Sequence, residues 1–406
     1  MKVLQVNCVY NTGSTGKIMY DIHTELLKNG NHSIICYGRG LKTNDKNVYK
    51  TCGELYSKIN NLLTRFSGIM YGGCFFSTNK LISVIKREAP DVVHLHCING
   101  YFVNIYRLIN WLKNNNIKTV LTLHAEFMHT ANCGHAMECE KWKNGCGKCP
   151  RWKEETKSII FDRTKLSFKK MKKAFDGFEE NLIVVSVSPW LMERARQSPI
   201  LMNKNHKVVL NGLDTSEFYY RNTEKLRSDL LLENKKTVVF VTPSFSLDRN
   251  DSKGGWYVIE LAKQFPEVNF IIVGSKEEYL DLPKNVINIG RVESKKRLAE
   301  LYSVADVTLL LSKRETFSMV AAESLCCGTP VLGFKAGGPE CIALSKYSEF
   351  VEYGNLNEMK ILLGDFLENR EFLSRKISEE ARMKFDKSNM YKGYYFIYDN
   401  LVKSIC

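Results

Sequence analysis

The stretch DVTLLLSKRETFSMVAAESLCCGTPVLGF, residues 306–334, decides the architecture. It opens on an apolar and β-branched run, Val307–Leu311, and passes through a polar loop to a helical segment over 317–327. Gly328-Thr329-Pro330 then breaks into a second apolar run, Val331–Phe334. Strands that are apolar along their whole length belong to parallel sheets covered on both faces. Two parallel strands need a crossover between them, and the helix supplies it.

The same alternation extends outward in both directions. TVVFVTP, NFIIVG and VINIG precede the stretch, with helices near 255–265 and 295–304. A separate series, KVLQVNCVY, HSIICYG, DVVHLH, KTVLTLH and LIVVSVS, occupies residues 1–200, with helices such as Lys17–Asn29 and Tyr101–Asn114 between strands. A chain of 406 residues exceeds one common core. The expected fold is therefore α/β, with two doubly wound, Rossmann-like domains facing a central cleft. Open sheets of this kind bind ligands beyond the carboxyl ends of their strands. The loops to watch are Asn11–Gly16, His96–Tyr101, the segment after His124, Ser244–Gly255 and Lys313–Phe317.

Charge is uneven. Of the net +14, residues 1–200 contribute 29 Lys and Arg against 16 Asp and Glu, and residues 201–406 contribute 29 against 28. The first half is expected to meet something anionic. The densest cluster is KLSFKKMKKAF, with Lys165, Lys169, Lys170, Lys172 and Lys173 partly sharing a helical face. No nucleic-acid module accompanies it, so a solvated face and an anionic membrane surface are the two readings, and nucleic acid is not an expected partner. No apolar run reaches the roughly 18 residues of a membrane span, and MKVLQVNCVY goes directly into a strand pattern without a leader. The expected location is the cytoplasm, with a peripheral position at the inner membrane face.

Thirteen cysteines, several scattered in apolar segments, describe buried thiols and not a disulfide framework. One cluster stands apart in HAEFMHTANCGHAMECEKWKNGCGKCP, residues 124–150. Cys133, Cys139, Cys146 and Cys149 put four thiols in a short run ending in C-x-x-C, a spacing that suggests a structural zinc with four thiolates. His129 and His135 are spare ligands, and four reduced thiols are the alternative.

In RETFSMVAAESLCCGTPVL, Glu315 stands on a strand-end loop and Glu323 inside the helix that follows. The helix start, Phe317, Ser318 and Met319, offers unpaired N–H groups and a positive dipole end to an anion. A carboxylate within such a helix can accept hydrogen bonds from a ribose diol, and the loop carboxylate from a sugar.

With NTGSTGKI, PDVVHLH, TLH, VSVSPWL, VLNGLD, SKGG, LYSVADV and ETFSMVAAESLCCGTPV, the chain resembles the retaining glycosyltransferases of family 4, which have the GT-B fold. Within that family it is similar to the surface-polysaccharide, colanic-acid-type transferases, which also carry a Cys-bearing insert. The resemblance implies an acceptor domain over 1–200 with the insert at 125–150. It implies a nucleotide-sugar domain over 201–385, and a C-terminal helix over 386–406 packing back on the first domain. It also implies roles. Glu323 holds the ribose and Glu315 the donor sugar, while Arg249 and Lys253 of LDRNDSKGG neutralise the diphosphate, Arg249 from a longer loop than the family's. Arg291 lies in the base-binding loop, His124 contacts the donor sugar near the reaction centre, and Gly13 and Gly16 let backbone approach the ligand. Ala125 replaces the acidic residue frequent in the nearest group. No metal-binding Asp-x-Asp occurs, so no catalytic cofactor is expected.

The expected function is a nucleotide-sugar-dependent hexosyltransferase that moves a sugar to an acceptor hydroxyl with retention. The acceptor is a lipid-linked glycan in surface polysaccharide or lipopolysaccharide synthesis. A nucleotide-sugar epimerase of the same fold and a non-catalytic nucleotide-sugar-binding protein are the rivals. The second would lack one of Glu323, Lys253 or His124, and all three are present.

Overall fold

A computed structural model of the chain describes residues 1–232, 235–275 and 281–403. The chain forms two units, Met1–Leu210 with the segment from Met390 onward, and Asn211–Asn389. Each is built on a wholly parallel sheet, so the α/β, doubly wound class holds for both.

The first sheet contains β1 (Lys2–Val9), β2 (His32–Arg39), β3 (Val48–Lys50), β4 (Val92–Leu95), β5 (Thr119–Leu123), β6 (Leu182–Ser186) and β7 (Asn205–Val208), in the order β3-β2-β1-β4-β5-β6-β7. The second contains β8 (Thr237–Val241), β9 (Asn269–Val273), β10 (Val286–Gly290), β11 (Val307–Leu310), β12 (Val331–Phe334) and β13 (Ser348–Val351), in the order β10-β9-β8-β11-β12-β13. In each, strand order reverses between a first strand and its neighbour across the crossover: β1 beside β4, and β8 beside β11. Loops leaving those strands flank a switch point, where α/β sheets leave room for ligands. The segments leaving those strands carry Gly13 and Gly16, in the first turn of a helix, and His96 in one unit, and Lys253 and Glu315 in the other.

Three strands are not legible as apolar runs: β3, β7 and β13. All three lie at sheet edges and are only three or four residues long. An edge strand covered on one side keeps polar residues, as in NHKV of β7 and SEFV of β13, and its sequence loses the continuous signal. Helix starts also differ from the expected ones. The first helix spans Gly13–Lys28 and not Lys17–Asn29, so the Gly-rich segment forms its first turn. The helix expected from Tyr101 begins at Ile105, capped by the Asn104 side chain accepting from the Arg107 N–H.

The last described helix, Lys387–Lys403, returns to the first unit, while 404–406 of the expected segment lie outside the described residues. Its Met390, Tyr394, Ile397, Tyr398 and Leu401 are buried with Val3, Ile22, Val120 and Val185. Two of its tyrosines satisfy polar groups inside that core. The Tyr398 hydroxyl lies 2.6 Å from His94 Nδ1, and the Tyr394 hydroxyl 3.0 Å from Thr122 Oγ1. Burying these tyrosines requires such partners.

Between β5 and the Thr164–Phe175 helix, the cysteine-bearing segment has only short helical turns, Phe127–Thr130, Lys141–Lys143 and Trp152–Thr156. A connection this long orders only if something ties it down. Fully buried Glu126 does so, accepting from Arg194 Nε at 2.5 Å and from the Ala136 N–H at 2.8 Å. Arg194 lies over the Trp142 ring at 4.8 Å, and Trp142 meets the His129 ring edge-on at 4.9 Å. Burial alone would raise the Glu126 carboxyl, but His129 and Arg194 hold it down at about 2. Removing the cation would strand a buried carboxylate. Arg194→Ala should therefore cost about 3–5 kcal/mol of stability, read as a lower denaturant midpoint. A midpoint equal to the wild type would show that the segment is ordered without this pair.

Candidate active site

In the second unit three strand-end loops meet through their backbones. The Lys313 N–H donates to the Ser252 carbonyl at 2.8 Å, the Glu315 N–H to Ala336 at 3.0 Å, and the Gly338 N–H to Glu315 at 2.9 Å. Two glycines allow this approach. A Cβ on Gly254, which has φ +80°, would overlap the Leu311 carbonyl oxygen, and one on Gly338 would overlap that of Thr316.

The junction puts Lys253 and Glu315 together, Nζ to Oε1 at 2.6 Å, with both side chains partly exposed. Beside them the Met319–Cys326 helix begins at Ser318, whose side chain accepts from the Ala321 N–H at 3.3 Å. Ser318 has φ +76°, unusual for a residue with a Cβ, and is buried with Phe317. Such strain at a loop-to-helix junction is held by the surrounding packing. Glu323, half-buried on the same helix, accepts from the Tyr302 hydroxyl at 3.1 Å. Burial pushes the Glu323 carboxyl up to about 7, with Tyr302 and Lys295 opposing. The unit thus gathers Lys253, Glu315, the helix start and Glu323. Tyr302 was not legible as a partner of Glu323, because a tyrosine beside the apolar positions of an amphipathic helix reads as core.

Arg249 and Arg291 make other contacts. Exposed Arg249 lies over the Trp256 ring at 4.9 Å. Arg291 leaves the end of β10, is 63% exposed and stands 3.8 Å from Glu293.

In the first unit His124 leaves the end of β5 and is half-buried. Its Nε2 lies 3.2 Å from His96 Nδ1, and His96 Nε2 lies 3.1 Å from Gln5 Oε1. Burial holds His124 down at about 4 and keeps His94 and His96 well below the usual range, so the rings are neutral. His96 donating to Gln5 leaves its Nδ1 to accept from the His124 Nε2–H, which fixes the His124 tautomer. Gly13 opens the first helix at φ +62°, and Gly16 sits against Val9, where a Cβ would fall 3.1 Å from Val9 Cγ2. Lys17, in the same turn, pairs with Asp21 at 3.3 Å.

Cys133, Cys139, Cys146 and Cys149 line one small apolar cavity with Trp142. All four are free thiols, and burial raises Cys133, Cys149 and Cys146, the last to about 12. As placed, no group of three or more His, Cys, Asp or Glu side chains among the described residues is arranged to hold a metal ion.

Comparison with known proteins bears on this geometry. Residues 222–384 match the family model described as Glycosyl transferases group 1. The chain is 22% identical to the colanic acid biosynthesis glycosyl transferase WcaC of Escherichia coli K12, over 99% of this chain and 100% of that one. It is 23% identical to N-acetyl-alpha-D-glucosaminyl L-malate synthase of Bacillus anthracis, over 93% and 90%. Among solved structures, sucrose-phosphate synthase of Thermosynechococcus elongatus superposes with a TM-score of 0.68 at 16% identity, over 99% of both chains. Anabaena Alr3699/HepE in complex with UDP-glucose superposes with a TM-score of 0.65 at 16% identity, over 98% and 100%. The fold is the two-domain GT-B arrangement of these solved structures, and the stretch that matches the Glycosyl transferases group 1 model is the one that holds Lys253, Glu315 and Glu323.

Proposed function

We propose that this protein is a retaining glycosyltransferase of family 4 that transfers a hexose from a nucleotide diphosphate sugar to an acceptor hydroxyl. The observation that carries the reading is the Lys253–Glu315 pair beside the Met319 helix start, with Glu323 further along the helix. UDP-glucose in HepE and the colanic-acid name of a full-length relative support a nucleotide-sugar donor and a surface-polysaccharide product. The acceptor is a lipid-linked glycan, as in lipopolysaccharide or capsule-type assembly, met at the membrane face by the cationic helix carrying Lys165–Lys173.

The ion pair keeps two site charges compensated until donor arrives. Lys253 then turns to the diphosphate and Glu315 to the sugar hydroxyls. The N–H groups of Phe317, Ser318 and Met319 face phosphate oxygens, and Glu323 accepts from the ribose diol. Arg249 swings from Trp256 to the second phosphate, and Arg291 borders the base. Gly13 and Gly16 let the first helix start approach the ligand, and His124 contacts the sugar near its anomeric carbon. The bond from C1 to the phosphate oxygen breaks as the acceptor oxygen bonds C1 on the same face, and the acceptor proton passes to the leaving phosphate. Charge grows on that phosphate in the transition state, where fixed cations and N–H dipoles act most strongly.

The four cysteines around the small cavity are the proposed ligands of one structural zinc; as placed they do not form a metal site, and binding would require the thiols to lose protons and draw inward. No reaction step passes through it.

Three outcomes test this reading. Ribose binding favours the ionised Glu323, so donor binding releases a proton and affinity rises with pH up to about 7, then levels. Below that, calorimetry with a nucleoside diphosphate should show up to about tenfold weaker binding per pH unit. Glu323→Gln should flatten the curve, and an unchanged curve would remove the ribose role. Lys253→Ala should slow sugar transfer by about 10²-fold or more while weakening nucleoside diphosphate binding less; equal losses would count against leaving-group stabilisation. Protein purified under reducing conditions should carry about one zinc per chain, and Cys146→Ser should lose metal and thermal stability while keeping nucleoside diphosphate affinity. Four titratable thiols without metal would leave the cavity an ordinary thiol core.

A further inference from the structure

The Glu54–Ser67 helix is turned inside out. Its buried residues are Ser57, Asn60 and Thr64, all polar. Its apolar residues Leu55, Ile59, Leu62, Leu63 and Phe66, spaced on one helical face, are exposed, Leu55 by 72%. The polar face is used internally. Asn60 Oδ1 accepts from the Cys74 N–H at 2.7 Å, its Nδ2 donates to the Tyr56 carbonyl at 2.8 Å, and Ser57 donates to the Gly100 carbonyl at 3.5 Å. Loop backbone therefore dictates which side points inward, and the apolar side is left outside.

Two other segments extend the same face. Phe75 and Phe76 open the next helix, Phe76 being 79% exposed, and Phe76 packs by ring and backbone against Tyr56. Ile159, Ile160 and Phe161 are all exposed, and the Ile159 N–H donates to the Arg65 carbonyl at 2.8 Å. Leu63, Phe66, Ile160 and Phe161 share a groove with Lys170 at its rim. A contiguous apolar face of this extent marks an interaction surface.

We propose that this face docks the protein on an anionic lipid bilayer, with the apolar side chains entering the headgroup layer. Charge complementarity selects that occupant. Exposed Lys58, Arg65 and Lys157 lie within or beside the apolar segments, and exposed Lys170, on the neighbouring helix, lines the groove itself. An amphipathic helix with apolar residues on one side and cations around it is the composition that lies in a membrane interface. Among the described residues no helix is long and apolar enough to cross a membrane. The proposal gives the membrane part of the function above a definite surface, and it stands whether or not sugar is transferred.

Co-sedimentation with vesicles of phosphatidylcholine and phosphatidylglycerol, and of phosphatidylcholine alone, tests it. The wild type should bind the anionic vesicles, and Leu62→Ser/Leu63→Ser/Phe66→Ser should weaken that binding by about tenfold or more at every salt concentration. Lys58→Gln/Arg65→Gln/Lys170→Gln should weaken it at low salt and matter little at high salt. Unchanged circular dichroism and nucleoside diphosphate affinity would show that both variants are folded. Wild-type affinity in the serine variant would overturn the proposal. So would a wild type that ignores vesicles, including one forming a dimer that the serine variant dissociates. Transfer to a soluble acceptor, measured on the same variants, separates failure of docking from failure of the enzymatic reading.

Discussion

The second unit depends on backbone closeness at its strand ends. Gly254 lies against the Leu311 carbonyl and Gly338 against that of Thr316, where no side chain fits. Hydrogen bonds from Lys313, Glu315 and Gly338 lock the three loops. Because of that contact Lys253 reaches Glu315, and the helix carrying Glu323 starts beside them. Parallel sheets make the contact feasible: every strand ends at the same edge, so loops far apart in sequence gather there.

The first unit solves a different problem, the burial of polar groups. His94 is enclosed by the Tyr398 and Thr122 hydroxyls, and His96 by Gln5 and His124. These contacts join three strands, β1, β4 and β5, and the last helix through groups that burial keeps neutral, and they orient His124 from behind. The Glu126–Arg194 pair does the same for the cysteine segment, with charge retained because both partners are present. In the Glu54–Ser67 helix the inward demand for polar partners is met by Ser57 and Asn60, which leaves leucines and a phenylalanine outside.

The central strands were legible because burial on both faces writes itself as an apolar run, from Val307–Leu311 to Thr119–Leu123. The edge strands β3, β7 and β13 were not, since half their environment is solvent. Glu315 and Glu323 could be picked out because a loop carboxylate and a helix start are local features, while Lys253 was named only through the family resemblance of SKGG. Tyr302 and the His96–His124 contact could not, as they depend on which helix or strand lies alongside. Nothing in the sequence around Arg249 told its contact with Trp256 from one with a phosphate.

By itself the sequence determined the parallel α/β class, the two series of strands, and the residue types at the strand ends, because each follows from burial or turn chemistry within about thirty residues of chain. Tertiary structure alone decided which loops touch and that the last helix completes the first unit's core. It also decided which face of the Glu54–Ser67 helix points out. An amphipathic pattern tells only that a helix has two sides. Which side is buried depends on the partner it meets, and here that partner is backbone seeking hydrogen bonds.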